Sequence, residues 1–140
     1  MLSIYPACFY EEDNGYSVIF PDLNYLATDG KNLEEAMKMA IDCLAGYLFT
    51  TKLDNETLVK PSKLNSIDAY KIAKELGFES NHCFVNLVSV DVDAYTKIHF
   101  NKSIKKTLTI PEWLNKIAMS KHINFSQVLQ EALIAKINEK

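Results

Sequence analysis

The chain has 140 residues, 48% of them hydrophobic, with 4 Gly, 4 Pro and a formal charge of −3. That length holds one ordinary domain or two small ones, and that composition excludes wholesale disorder. The total hides an asymmetry: residues 1–96 carry 7 Lys against 15 Asp and Glu, a net −8, whereas residues 97–140 carry 8 Lys against 3 Glu, a net +5.

Such an imbalance predicts a basic module for a polyanion and an acidic module for a different partner. No apolar run approaches the roughly 18 residues of a membrane span, and MLSIYPACFYEED has no basic start, so a soluble, cytoplasmic protein without a membrane partner is expected. Cys8, Cys43 and Cys83 are odd in number, widely spaced and form no CxxC pair. That spacing argues against a disulfide framework and a zinc site and suits buried apolar residues. No metal or other cofactor is expected.

In chain order, two β-rich runs, Leu2 to Tyr10 and Tyr16 to Phe20, flank EEDNG, whose Asn14-Gly15 pair offers the positive φ of a tight hairpin. A third strand is expected around Tyr25 to Thr28. From Asn32 the apolar spacing changes to three and four, at Leu33, Ala36, Met37, Ala40, Ile41, Leu44, Ala45 and Leu48, the stripe of an amphipathic helix. Asn32 is placed to cap it, with Glu35 reaching back. Thr50 to Asn65 reads as a surface connection, Ser66 as the cap of a short helix Ile67–Leu76 ended by Gly77, and residues 83–92 as a fourth strand. The result is a small α+β domain of β-β-β-α-β type over residues 1–96, with the polar stretch from Asp93 to Ser103 as boundary.

The remainder, residues 97–140, reads as a strand Ile104–Ile110, a helix with Pro111 in its first position, and a helix from Phe125 to about Ile137. Asn124 and Gln127 have capping-box spacing. A lone strand cannot satisfy its own backbone. Trp113, Leu114, Ile117, Phe125, Val128, Leu129 and Leu133 are also more apolar surface than so short a tail can bury. Two copies solve both problems by pairing their strands in an antiparallel ribbon over a shared four-helix core. Period two then sends Leu108 and Ile110 inward and Lys105, Thr107 and Thr109 outward. A two-stranded ribbon fits the DNA major groove, where lysine donates to guanine acceptors and threonine donates, accepts or touches the thymine methyl. The N–H groups of Phe125 and Ser126 and the Ser126 hydroxyl suit a phosphate. Taken singly, these residues also suit an ordinary edge strand; their combination carries the functional reading.

The stretch KKTLTIPEWLNKIAMSKHINFSQVLQEAL resembles the ribbon-helix-helix repressor domain. YEEDNGYSVIFPDL, GKNLEEAMKMAIDCL and FVNLVSVDVDAY, in that order, resemble the N-terminal domain of the HicB antitoxin family. Where that family usually has Pro-Gly after FPDL, this chain reads Asn24-Tyr25. The resemblance implies a partial ribonuclease H-like N-terminal domain that binds and masks a HicA-type mRNA-cleaving toxin. It also implies a C-terminal ribbon-helix-helix homodimer, with room for higher assembly, that represses its own operon by binding operator DNA. Carried over by position, the DNA-facing residues are Lys105, Thr107 and Thr109, and the phosphate clamp is Asn124, Phe125 and Ser126. For the toxin, whose RNA-handling surface should be basic, complementary charge points to Glu11, Glu12, Asp13 and Asp22.

Two other readings compete. A metal-dependent nuclease needs several carboxylates on adjoining strands, yet LSIYPACFY and GYSVIF contain none. No Cys or Ser sits in a recognisable nucleophile motif, so no catalytic residue is expected. A stand-alone transcriptional regulator with a ligand-sensing N-terminal domain fits the same residues, and rescue of growth from a toxic neighbouring gene product discriminates it.

Overall fold

The computed structural model describes residues 1–100 and 104–139. The chain divides into two compact units, Met1–Lys102 and Ser103–Lys140.

In the first unit, β1 (Ser3–Glu12) and β2 (Gly15–Phe20) form the expected hairpin, and β3 (Leu26–Gly30) and β4 (Cys83–Val90) complete an antiparallel sheet of order β3-β2-β1-β4. The closing pair is Glu12 with Gly15, so Asp13-Asn14 makes the turn and not Asn14-Gly15. The positive φ falls on Gly15, at +141°. A Cβ there would stand 2.0 Å from the Gly30 carbonyl oxygen of β3, which only glycine tolerates.

Period two along the strands divides the core between the two faces of the sheet. Tyr5, Ala7, Phe9, Val18, Phe20, Val88 and Val90 meet α1 (Leu33–Leu53) through Ala36, Ala40, Leu44, Ala45 and Leu48. Cys8, Tyr10 and Ile19 meet α2 (Ala69–Leu76) through Ala69 and Ala73. Tyr10 is fully buried, and its hydroxyl donates to the Ala69 carbonyl at 2.8 Å, tying α2 to the sheet. Burial pushes this phenol well above the usual tyrosine range.

Asn32 caps α1 as expected, its Oδ1 accepting from the Glu35 N–H at 2.8 Å. The Glu35 carboxylate reaches back to the N–H of Lys31, one residue beyond the Asn32 N–H that a full capping box uses. Leu33, counted in the apolar stripe, is exposed. The helix also runs a turn further than expected, taking Thr50–Leu53 from the surface connection.

The cap of α2 is Asp68, which accepts from the Lys71 N–H at 3.1 Å, and not Ser66, whose hydroxyl donates to the Lys63 carbonyl. Gly77, at φ +86°, ends α2 as expected.

A helix that the sequence does not suggest, α3 (Val92–His99), follows β4 and spans the joint expected between residues 96 and 97. It packs on α1: Tyr95 Oη donates to Asp42 Oδ1 at 3.0 Å, and the Phe100 ring lies 6.0 Å from that of Phe49. Asp91 caps it through the Ala94 N–H at 3.2 Å, which holds the Asp91 carboxyl below the usual range.

In the second unit, residues 104–110 are neither helical nor paired with any described strand of the chain, so the expected strand has no partner within it. Pro111 is the N-cap, one position earlier than expected, and α4 runs Glu112–Ser120. After a turn in which His122 has φ +53°, α5 runs Phe125–Ile137. The end of the expected boundary, residues 101–103, lies outside the described residues. No helix among those described is long and apolar enough to cross a membrane.

Candidate functional site

The second unit lacks a core of its own. Of its described apolar side chains only Ala118 is buried, while Leu108 is 62% exposed, Trp113 64% and Ile137 71%. Leu114, Ile117, Phe125, Val128, Leu129, Leu133 and Ile134 are exposed as well. Leaving that much apolar surface in water forgoes about 1.5–3 kcal/mol for each large side chain that burial would stabilise. An apolar face of this extent is the mark of an interaction surface.

Lys105, Thr107 and Thr109 lie in the unpaired segment before α4, all exposed. Asn124 caps α5, its Oδ1 accepting from the Gln127 N–H at 3.1 Å; the Gln127 side chain turns to Glu131 and not back to the cap. The first-turn N–H groups of Phe125 and Ser126 are the ones a helix leaves without intrahelical acceptors. Ser126 Oγ accepts from Gln130 Nε2 at 3.2 Å, so its own proton is left to donate. An exposed shallow cavity of about 320 Å³ lies against Asn124, Ser126 and Gln130. The three clamp residues are thus together at one helix N-terminus.

The four acidic candidates of the first unit are not together. Glu11, Glu12 and Asp13 sit at the β1–β2 hairpin tip, where Glu12 accepts from the Ser17 hydroxyl at 2.6 Å. Asp22 follows the other end of β2, about 17 Å away by strand rise. Its carboxylate accepts both the Ser62 N–H at 2.8 Å and the Ser62 hydroxyl at 2.6 Å. Asp22 therefore fastens the connection between α1 and α2, a role invisible in sequence because its partner is forty residues away. The Tyr5 hydroxyl fastens the same connection at the Val59 carbonyl.

Cys8 is buried and Cys43 and Cys83 half-buried, all with free thiols. Among the described residues no three of His, Cys, Asp and Glu converge as metal ligands.

Fold and chain length together match known antitoxins. The family model described as the HicB-like antitoxin of bacterial toxin–antitoxin systems matches residues 5–137. A chain of a toxin–antitoxin complex from Streptococcus pneumoniae is 35% identical, with 97% of this chain and 99% of that one covered and a TM-score of 0.63. The antitoxin HicB of Burkholderia pseudomallei shares the fold at 22% identity, covering 94% and 96% of the two chains, with a TM-score of 0.50. A chain of the HicA3–HicB3 toxin–antitoxin complex does so at 20% identity, over 64% of this chain and 99% of that one, also with a TM-score of 0.50. No curated protein matches the chain. The family is one of regulators and not of enzymes. With nearly the whole chain inside the family model and a relative sharing a third of its residues, the protein belongs to the HicB-like antitoxins of bacterial toxin–antitoxin systems.

Proposed function

We propose that the acidic first unit masks a HicA-type, mRNA-cleaving toxin and that the basic second unit, paired with a second copy as a ribbon-helix-helix domain, represses the operon encoding both. The observation that carries the second half is the exposed apolar face of α4 and α5 beside an extended segment without a strand partner. A second copy supplies both missing elements at once. Residues 104–110 pair antiparallel about a two-fold axis, Leu108 and Ile110 turn into the shared core, and Lys105, Thr107 and Thr109 line the outer face of the ribbon. That face enters the major groove, and the α5 N-terminus at Asn124, Phe125 and Ser126 holds the flanking phosphate.

For the first half, support comes from family membership, from the HicA3–HicB3 complex among proteins of the same fold, and from the net −8 charge of residues 1–96. A toxin surface that grips RNA must be basic, and acidic side chains at the hairpin tip complement it.

Co-expression with the toxin encoded beside this chain tests the masking: growth arrest by the toxin alone should be relieved by the chain. Gel shifts test the repression. Thr107→Ala should weaken operator binding by about 1–3 kcal/mol and relax sequence choice, with binding to random duplexes nearly unchanged. Equal loss on both duplexes would contradict base reading at Thr107.

A further inference from the structure

We infer that the cleft between the last turns of α1 and β3, whose Leu26 wall follows Tyr25 directly in the chain, receives a lysine or arginine side chain from a basic protein partner. That partner is the HicA-type toxin, and to that extent the inference rests on the masking reading.

The first observation is backbone strain. Asn24 and Tyr25 are consecutive residues in the left-handed region, at φ +56° and +58°. Asparagine tolerates this region because its short side chain bonds locally; a tyrosine has no such compensation and is a true outlier there. Its neighbours hold it in place. Leu23 is buried at 1% exposure, Leu26 pairs with Phe20 in the sheet, and Asn24 Nδ2 donates to Tyr47 Oη at 3.2 Å. Tyr25 itself gains nothing visible from the conformation, since the residue is 47% exposed and its hydroxyl makes no hydrogen bond among the described residues. Strain held by surrounding structure, with the strained side chain presented to solvent, is the pattern of a binding residue.

The second observation is the cleft. It has a volume of about 330 Å³ and is lined by Leu26, Tyr47, Thr50, Thr51, Asp54 and Glu56. Both chain neighbours of Tyr25 touch this wall, Leu26 by lining it and Asn24 through Tyr47. It is shallow and open to solvent, which suits a side chain delivered by a protein surface better than a small molecule needing enclosure.

The third is charge. Asp54 and Glu56 are exposed, and neither carboxylate takes a hydrogen bond or ion pair from the described residues. The nearest helical cation, Lys52, bridges to Asp93 at 3.4 Å instead. The C-terminal end of α1 adds the negative end of its dipole. Two carboxylates, a helix C-terminus and the Tyr47 ring, with the exposed Tyr25 next to the Leu26 wall, together favour an ammonium or, better, a guanidinium that also stacks on an aromatic face. The same charges exclude a nucleic acid from this cleft.

Binding of the full-length chain to a catalytically inactive form of the toxin encoded beside it, by calorimetry, tests the inference. Tyr25→Gly should weaken binding at least tenfold while thermal stability stays level or rises, because glycine relieves the left-handed strain. Asp54→Asn with Glu56→Gln should also weaken binding and flatten its dependence on salt. Tyr25→Gly that binds like the wild type, or whose loss of binding is matched by a loss of thermal stability, would overturn the cleft as the contact site. A wild-type chain that fails to bind the toxin would overturn the masking reading and the cleft with it, a separate failure seen before any variant is compared.

Discussion

Gly15 sits where β2 leaves the hairpin turn, with its Cα facing the carbonyl oxygen of Gly30 in β3. Alanine there meets two obstacles, a backbone at φ +141° that side-chain-bearing residues avoid and an oxygen 2.0 Å from the new Cβ. Gly15→Ala should cost about 1–3 kcal/mol in thermal unfolding. Gly46, inside α1, is the contrast: its Cβ would meet the Phe100 ring at an ordinary 3.9 Å, and Gly46→Ala should stabilise by about 0.5–1 kcal/mol. A destabilised Gly46→Ala would contradict the spacing between α1 and the Phe100 ring. At this scale the sequence is legible where chemistry is local. Asn32 and Asn124 can be read as caps because each precedes an apolar stripe by one residue. Ser66 misleads because Asp68, two residues on, offers the same chemistry, and only the course of the chain decides between them. Asp22 reads as a free surface charge for the same reason, its partner Ser62 being remote in sequence.

Among the elements, the hairpin, α1 and β4 follow from period and turn residues, whereas α3 does not. Unlike α2, which Gly77 ends, α3 follows β4 with only Asp91 between them, and it is held by contacts from α1, Tyr95 to Asp42 and Phe100 to Phe49, that no local pattern encodes. The connection from Asp54 to Lys63 is likewise ordered by side chains from elsewhere, Tyr5 at Val59 and Asp22 at Ser62. Asp22→Ala removes two acceptors from Ser62 without touching the core. Trypsin should then cut faster after Lys60 and Lys63, by roughly the tenfold that about 1.5 kcal/mol of lost hydrogen bonding allows, with the main unfolding transition nearly unmoved. Unchanged cleavage would mean that Tyr5 alone holds the connection.

For the whole molecule, charge and burial divide at nearly the same place. The first unit encloses two apolar clusters, one on each face of its sheet, while the second leaves its large apolar side chains in solvent. The alternation of KKTLTI and the two amphipathic helices after it are readable from the sequence, and so is their need for a partner, because unpaired strand edges and uncovered apolar faces are recognisable without knowing what covers them. What covers them is not written in one copy of the chain. Leu108 is the residue on which the answer turns: it is 62% exposed in the single chain, so a charge there costs the monomer little, yet in the ribbon we propose it would lie in the shared core. Sedimentation of the wild type and of Leu108→Asp is therefore the most direct test. The wild type should sediment as a dimer or a multiple of it and Leu108→Asp should lose the tail-mediated association; a wild-type monomer, or a variant still paired through its tail, would contradict the shared core.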